Sequence, residues 1–213
     1  MLVKQVEFAF ELAQKNQSKL TPDILRVSGM SSPKVRHFLN NLCSFGDANY
    51  LEIGSLYGST IISAAYRNTG YFIGIDNFSE FGGSAEQLYT NKARFGEAQF
   101  DFIEGNCWDD GVIAQVPLGI NVFFYDGGHT REDHYNAIVT YFKKVSNEFI
   151  YVCDDWNWED VRLGTNKAIF DCKLITEFEK FLFTPYNGDL ESWWNGLGIF
   201  VLRKLEPDHL SSR

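Results

Sequence analysis

Residues 52–60 read EIGSLYGST, and this stretch decides the fold. It follows an apolar run at residues 50–53 and precedes residues 61–66, which can continue as a helix. Gly54 and Gly58 would let the backbone turn sharply and approach a ligand, and the helix amino terminus behind them would offer free N–H groups. The stretch therefore predicts a strand, a glycine turn that can hold a ligand, and a helix.

A carboxylate about 20 residues further on adds to this signal. The second predicted strand ends at Asp76, where doubly wound α/β folds hold ribose hydroxyls. The Gly-x-x-x-Gly spacing lacks the Gly-x-Gly-x-x-Gly arrangement that binds a dinucleotide pyrophosphate, so the pair favours an adenosyl cofactor without phosphates. The alternative is that Glu52 only caps or solvates a strand end and that Asp76 only begins a turn with Asn77.

The rest of the chain alternates short apolar runs with amphipathic stretches, which is typical of β-α-β units and a parallel sheet. Residues 173–183 and 197–202 have strand character and are joined by a loop, so we expect a closing antiparallel pair. Residues 1–46 predict a helical amino-terminal cap, and residues 47–204 the core, within one domain over residues 1–213. The predicted class is α/β with three layers, α/β/α.

Composition narrows the partners. The formal net charge of -9 disfavours nucleic acids and anionic membranes, and 45% hydrophobic residues can build one sizeable core. The four cysteines have no zinc-site or disulfide spacing, and no stretch is apolar enough to span a bilayer. We expect a cytoplasmic protein without membrane contact, and an amphipathic first helix compatible with a homodimer.

Three carboxylates follow two strands that should be neighbours. Asp126 ends the fourth predicted strand, and Asp154 and Asp155 end the fifth. Such close like charges repel one another unless a cation neutralises them, and oxygen ligands suit Mg²⁺, with Ca²⁺ or Mn²⁺ as alternatives. Asp154 and Asp155 can share an ion only if the chain turns there. Otherwise Asp154 caps a loop and Asp155 pairs with Arg162 or Lys167.

These motifs carry a family resemblance. Residues 52–60 with Asp76 resemble the cofactor half of class I S-adenosylmethionine-dependent methyltransferases. Residues 125–130 (YDGGHT), 152–156 (VCDDW) and 191–196 (ESWWNG) are similar to the macrocin O-methyltransferase group. The resemblance implies a Rossmann-like doubly wound sheet with an antiparallel carboxyl-terminal strand. It also implies S-adenosylmethionine, a divalent metal such as Mg²⁺, and methyl transfer to a hydroxyl.

We expect the cofactor to contact the loops after the first four strands, with Asn106 offering an amide to the adenine edge. The alternative that Asn106 only forms a polar turn stays open. The candidate cofactor residues are Glu52, Gly54, Ser55, Tyr57, Gly58, Ser59, Asp76, Asn77, Asn106, Cys107 and Asp126, and the candidate metal ligands are Asp126, Asp154 and Asp155.

The catalytic candidates are Asp126 and His129. An imidazole after the flexible Gly127-Gly128 pair can take the acceptor's proton near neutral pH, although a capping box at Thr130 makes a structural role for His129 an equal alternative. Trp156 and Trp158 either wall an acceptor pocket or belong to the core.

The predicted function is thus metal-assisted O-methyl transfer to a small-molecule acceptor such as a sugar or a phenol. Two alternatives remain at this point. One is a nicotinamide-dependent reductase on a related fold, and the other is a non-catalytic adenosyl-binding protein with a structural acidic cluster.

Overall fold

A computed structural model describes residues 1–205, so residues 206–213 of the predicted single domain lie outside the described part. The strands are β1 Ala48–Ile53, β2 Gly70–Asp76, β3 Asp101–Glu104, β4 Ile120–Tyr125, β5 Val145–Cys153, β6 Ile175–Leu182 and β7 Leu197–Arg203. The helices are α1 Leu2–Gln14, α2 Pro22–Leu25, α3 Pro33–Leu42, α4 Ser59–Ala65, α5 Ala85–Arg94, α6 Asp110–Gln115, α7 Arg131–Tyr141 and α8 Glu159–Asp171.

The strands form a seven-stranded sheet in the order β3-β2-β1-β4-β5-β7-β6. β1 to β5 run parallel, and β7 lies antiparallel between β5 and β6. The predicted Rossmann-like sheet with an antiparallel carboxyl-terminal strand is confirmed. The order reverses direction at β1 and β4, and open α/β sheets bind ligands at such a switch point.

The carboxyl ends of four parallel strands are held in register. Past the strand ends, the amide of Gly54 donates to Ile75 O (2.9 Å) and the amide of Asp126 donates to Ile53 O (2.9 Å). The amide of Asp154 donates to Tyr125 O (3.0 Å). The glycine turn and the acidic residues therefore share one edge of the sheet.

Both faces of the sheet are covered. Strand side chains alternate between two buried clusters, with Tyr50 and Phe124 in one and Leu51 and Phe123 in the other. A sheet that is apolar on both faces needs helices on both, so the predicted three layers are confirmed. The first cluster also contains Phe38, by which the amino-terminal helices cover that face.

Two helix starts are stabilised by side-chain caps. Ser32 Oγ accepts a hydrogen bond from the amide of Val35 (3.3 Å) ahead of Pro33 at the first helical position. Thr130 and Asp133 form a reciprocal capping box at α7.

Among the described helices, none combines the length and the apolar character that a bilayer crossing requires.

Candidate active site

A cavity of about 530 Å³ opens at the carboxyl edge of the sheet. Its walls come from the loops after β1 to β5, from the cap residues Met30 and Ser31, and from the loop between β6 and β7. This volume lies within the range of small-molecule sites.

The glycine turn has the backbone geometry that its sequence predicts. Gly54 has φ +90°, and a Cβ there would lie 2.5 Å from the carbonyl carbon of Asp126. Gly58 has φ +86° and caps α4. Only glycine fits a left-handed backbone at such close quarters, so the β1 and β4 loops pack backbone to backbone at the cavity wall.

Asp76 joins this turn directly. One carboxylate oxygen accepts the amide of Leu56 and the other accepts the amide of Phe78, both at 2.7 Å. The carboxylate also faces the cavity, where each oxygen keeps a free lone pair. The β1 turn and the end of β2 therefore enclose the same space, as an adenosine site requires.

Most of the predicted cofactor residues line this cavity. They are Gly54, Ser55, Ser59, Asp76, Asn77, Asn106, Cys107 and Asp126. Glu52, Tyr57 and Gly58 are not part of its lining, and Tyr57 faces a separate shallow surface pocket.

Glu52 lies fully buried behind the glycine turn, so it does not solvate a strand end. Its carboxylate accepts the hydroxyls of Tyr50 (2.7 Å) and Thr60 (2.8 Å). Burial raises the pKa of Glu52 to about 7, although these hydrogen bonds act in the opposite direction. Glu52 thus fixes Thr60, which lines the cavity, from behind.

The β3 loop adds an aromatic wall that the sequence did not single out. Asn106 Oδ1 accepts the amide of Trp108 (3.1 Å), which is a local polar turn. Both residues line the cavity. The turn alternative for Asn106 is therefore compatible with its position beside a ligand, because its side-chain NH₂ remains available.

Asp126, His129 and Asp155 converge, with one ligand atom of each lying within 4.8 Å of the others. Asp155 has φ +60°, so the chain does turn at the end of β5. One oxygen of Asp155 lies 2.8 Å from His129 Nε2, and the other accepts Asn195 Nδ2 at 2.6 Å. Asn195 was not predicted, since only the three-dimensional hairpin brings it to this edge.

The alternative prediction, that Asp155 pairs with Arg162 or Lys167, is wrong. Arg162 donates to the carbonyl oxygens of Trp156 (2.8 Å) and Asn157 (2.7 Å). Lys167 pairs with Asp171. The Asp155 carboxylate therefore faces the cavity and contacts His129 and Asn195.

Asp154 is the most unusual carboxylate of the site. It is 1% exposed, neither oxygen has a hydrogen-bond partner, and it is not part of the group within 4.8 Å. Burial and the neighbouring charge of Asp155 raise the pKa of Asp154, and burial with the charges of Asp154 and Asp155 raises that of Asp126. Unpaired buried carboxylates are costly, and a bound cation would relieve that cost.

His129 is held in place rather than free. Its side chain is 26% exposed, and its ring lies 4.8 Å from that of Trp158 in an edge-on arrangement. Burial lowers the pKa of His129, but the hydrogen bond and charge of Asp155 outweigh it, so the pKa is raised. The helix cap is made by Thr130 and Asp133, so it does not use the His129 ring.

The tryptophans divide between core and cavity. Trp156 stacks on Phe181 at 5.0 Å and is 1% exposed, and Trp193 is buried among the cap helices. Trp158 and Trp194 line the cavity. The pair Trp156 and Trp158 and the pair Trp193 and Trp194 therefore each supply one core ring and one cavity ring.

The cap reaches the site through a buried arginine. Arg36 donates to Ser31 Oγ (2.9 Å) and Val27 O (2.8 Å), and burial lowers its pKa to about 10. These bonds hold the loop that carries Met30 and Ser31 at the cavity wall. No motif in residues 1–46 predicts this contact, because it depends on how the cap packs against the core.

Comparison with known proteins bears on the enzyme class and the fold. Residues 51–156 match the model of a methyltransferase domain. An uncharacterized protein of Acanthamoeba polyphaga mimivirus is 25% identical over 159 residues, which cover 70% of this chain and 71% of that protein.

Solved structures share the fold at low sequence identity. An O-methyltransferase from Bacillus cereus, in complex with S-adenosylhomocysteine, has a TM-score of 0.61 at 13% identity, over 94% of this chain and 91% of that one. The O-methyltransferase TomG of Streptomyces achromogenes, in complex with S-adenosylmethionine, has a TM-score of 0.59 at 16% identity, over 92% and 89%. The domain match confirms the predicted enzyme class, a methyltransferase, and the solved structures confirm the Rossmann-like fold.

Proposed function

We propose that the chain is an S-adenosylmethionine-dependent O-methyltransferase that acts on a hydroxyl of a small molecule with the help of a divalent cation. One observation carries the proposal. The glycine turn, Asp76 and the acidic group of Asp126, Asp155 and His129 all face the same cavity. The similarity to the macrocin O-methyltransferase group stays a prediction about the acceptor.

The cavity fits an adenosyl group. Asp76 accepts ribose hydroxyls on its free lone pairs, and the backbone at Gly54 and Ser55 comes close enough to contact the amino-acid end. Asn106 offers its amide to the adenine edge. The turn carries no Gly-x-Gly-x-x-Gly cradle, which favours a cofactor without a pyrophosphate over a nicotinamide dinucleotide.

The acidic group fits a hard divalent cation. Asp126 and Asp155 supply oxygens within reach of one ion, and the unpartnered Asp154 adds a buried carboxyl next to Asp155. An all-oxygen carboxylate set suits Mg²⁺ better than zinc. When bound, the ion would lower the pKa of the acceptor hydroxyl and neutralise the carboxylates.

The chain's own residues align the reaction. The acceptor oxygen attacks the methyl carbon, the carbon–oxygen bond forms, and the carbon–sulfur bond breaks with its electron pair going to sulfur. Holding the nucleophile, the methyl carbon and the sulfur in line can supply about 7–11 kcal/mol of the barrier. Trp158 and Trp194 narrow the approach and exclude water from it.

His129 takes the acceptor's proton. Its Nε2 is committed to Asp155 Oδ2 at 2.8 Å, which leaves Nδ1 as the atom with a free lone pair. A carboxylate that orients an imidazole in this way also stabilises the imidazolium that proton transfer creates. Asn195 in turn holds the second oxygen of Asp155.

Calorimetric titration with S-adenosylhomocysteine tests the proposal, with and without Mg²⁺, on the wild type and on Asp126→Asn. We expect cofactor binding to survive the substitution and Mg²⁺ binding to be lost. Binding of reduced nicotinamide dinucleotide in place of S-adenosylhomocysteine would favour a reductase. Cofactor binding with no Mg²⁺ heat and no metal-dependent turnover would favour a non-catalytic adenosyl-binding protein.

A further inference from the structure

The charge of the cavity wall is one-sided. The lining contains five carboxylates, Asp76, Glu80, Asp126, Asp133 and Asp155, and neither a lysine nor an arginine among the described residues. A site for phosphate or carboxylate groups normally presents arginine, lysine or a helix amino terminus to the anion. An anionic acceptor would therefore meet like charges and no lysine or arginine side chain of the lining.

Most of these carboxylates already have a role. Asp76 accepts the amides of Leu56 and Phe78, and Asp133 belongs to the α7 capping box. Asp126 and Asp155 belong to the proposed metal site. A divalent cation on these two would neutralise their charges, so the negative charge that remains in the lining comes from Asp76, Asp133 and Glu80.

Glu80 is the carboxylate without such a role. It is exposed in the β2–α5 loop, lines the cavity, and takes part in none of the ion pairs of the described residues. Its negative charge is one of those that raise the pKa of His129. Glu80 is thus a free negative charge beside the candidate base.

Aromatic rings accompany this carboxylate. Phe81 is 57% exposed, and its ring lies 6.3 Å from that of His129. The Trp158 ring lies 4.8 Å from the same imidazole. A carboxylate beside exposed aromatic faces binds ammonium groups through charge attraction and cation–π contacts.

We propose that the methyl acceptor carries no anionic group and that its preferred form bears an ammonium group, held at the cavity mouth by Glu80, Phe81 and Trp158. This inference rests on the proposed function, since it assigns the substrate class of the same site. It predicts an amine-bearing phenol or sugar as the acceptor, with the reacting hydroxyl beside His129.

A charge series of equal shape tests the preference. Tyramine, tyrosol and 4-hydroxyphenylacetate share a phenol with a two-carbon arm and end in an ammonium, a hydroxyl and a carboxylate. Their affinities are measured by calorimetry on the full chain loaded with S-adenosylhomocysteine and Mg²⁺. We expect tyramine to bind about tenfold or more tightly than 4-hydroxyphenylacetate, with tyrosol between them.

Two matched variants locate the effect. Glu80→Gln removes the free carboxylate, and we expect it to cut the preference for tyramine over tyrosol about fivefold while tyrosol affinity is unchanged. Glu86→Gln removes an exposed carboxylate in the first turn of α5, outside the cavity lining, and should leave all three affinities as in the wild type.

The outcomes separate the two proposals. Equal affinities for the three probes, tightest binding of the anion, or no binding of any probe to the loaded protein would overturn the charge preference and leave the cofactor assignment intact. Failure of S-adenosylhomocysteine to bind would contradict the proposed function itself. A Glu80→Gln variant with the full tyramine preference would overturn the role of Glu80.

Discussion

Asn195 donates its side-chain amide to Asp155 Oδ1 over 2.6 Å and thereby connects the β6–β7 loop to the acidic edge of the sheet. The other end of the same side chain accepts the amide of Gly188 at 2.7 Å. The bond to Asp155 is buried, and Asn195 is 8% exposed. The loop that carries Trp194 is therefore positioned by the same residue that orients a candidate metal ligand.

Replacing Asn195 should weaken metal binding without removing a ligand. In Asn195→Ala, Asp155 loses the donor that fixes its carboxylate, and such supporting partners typically contribute about 10–100-fold in metal affinity. We expect a loss of that size for Mg²⁺ by calorimetry. The control is Glu191→Gln, an exposed change in the same loop, and unchanged Mg²⁺ affinity in Asn195→Ala would refute the positioning role.

We expect Asp154 to lower the stability of the metal-free protein and to strengthen metal binding. Without a cation, Asp154→Asn removes a buried, unpartnered carboxyl whose ionisation is unfavourable beside Asp155, and should raise the free energy of unfolding by about 1–3 kcal/mol. With saturating Mg²⁺, the wild type gains stability through binding to the native state, and the variant gains less. Urea unfolding with and without Mg²⁺ measures both effects.

The control for this experiment is Asp160→Asn. Asp160 is an exposed partner of Arg131, and exposed ion pairs contribute little, about 0–1 kcal/mol. Its stabilisation by Mg²⁺ should equal that of the wild type. If Asp154→Asn instead destabilises the metal-free protein, then the carboxylate makes a favourable contact and the metal argument loses its main support.

The sequence predicted those parts of the site that lie next to strand ends. Gly54, Asp76, Asp126 and Asp155 follow apolar runs, and in parallel strands the position after such a run is at the ligand-binding edge. The doubly wound parallel sheet and the antiparallel closing pair also follow from pattern and resemblance. These features are local in the chain or repeat along it.

The missed residues come from segments whose position depends on tertiary packing. Met30 and Ser31 reach the cavity because Arg36 holds their loop, and Asn195 arrives through the fold of the β6–β7 loop. Glu52 lies behind the turn for a local reason. Strand side chains alternate between faces, so a residue one position from Ile53, which lines the cavity, can be entirely inside the core.

Gly29 should control the contact between cap and glycine turn. A Cβ at Gly29 would lie 2.6 Å from Ser59 Cβ, closer than real carbon contacts allow. Gly29→Ala therefore pushes the cap loop away from α4, and we expect about a tenfold loss of S-adenosylhomocysteine affinity in calorimetry. Gly96→Ala, where no atom lies within 4 Å, is the control. Wild-type affinity in Gly29→Ala would mean that the close contact between Gly29 and Ser59 does not contribute to cofactor binding.

Glu52 should make stability fall as pH rises toward neutrality. Its pKa is about 7 in the folded chain and near 4.5 when unfolded, so the native state binds more protons between these values. Stability from the protonated carboxyl is complete at low pH and is lost as pH rises through the folded pKa. Between about pH 5 and pH 8, this loss is on the order of 2 kcal/mol.

Glu52→Gln keeps the shape of the protonated side chain and can still bond to Tyr50 and Thr60. In urea unfolding across that pH range, the difference between wild type and variant should therefore grow with pH, in favour of the variant. The exposed change Glu7→Gln should leave the wild-type profile intact. Parallel curves for wild type and Glu52→Gln would mean that the buried carboxyl does not titrate in this range, because a group that keeps one protonation state adds no slope to the stability profile.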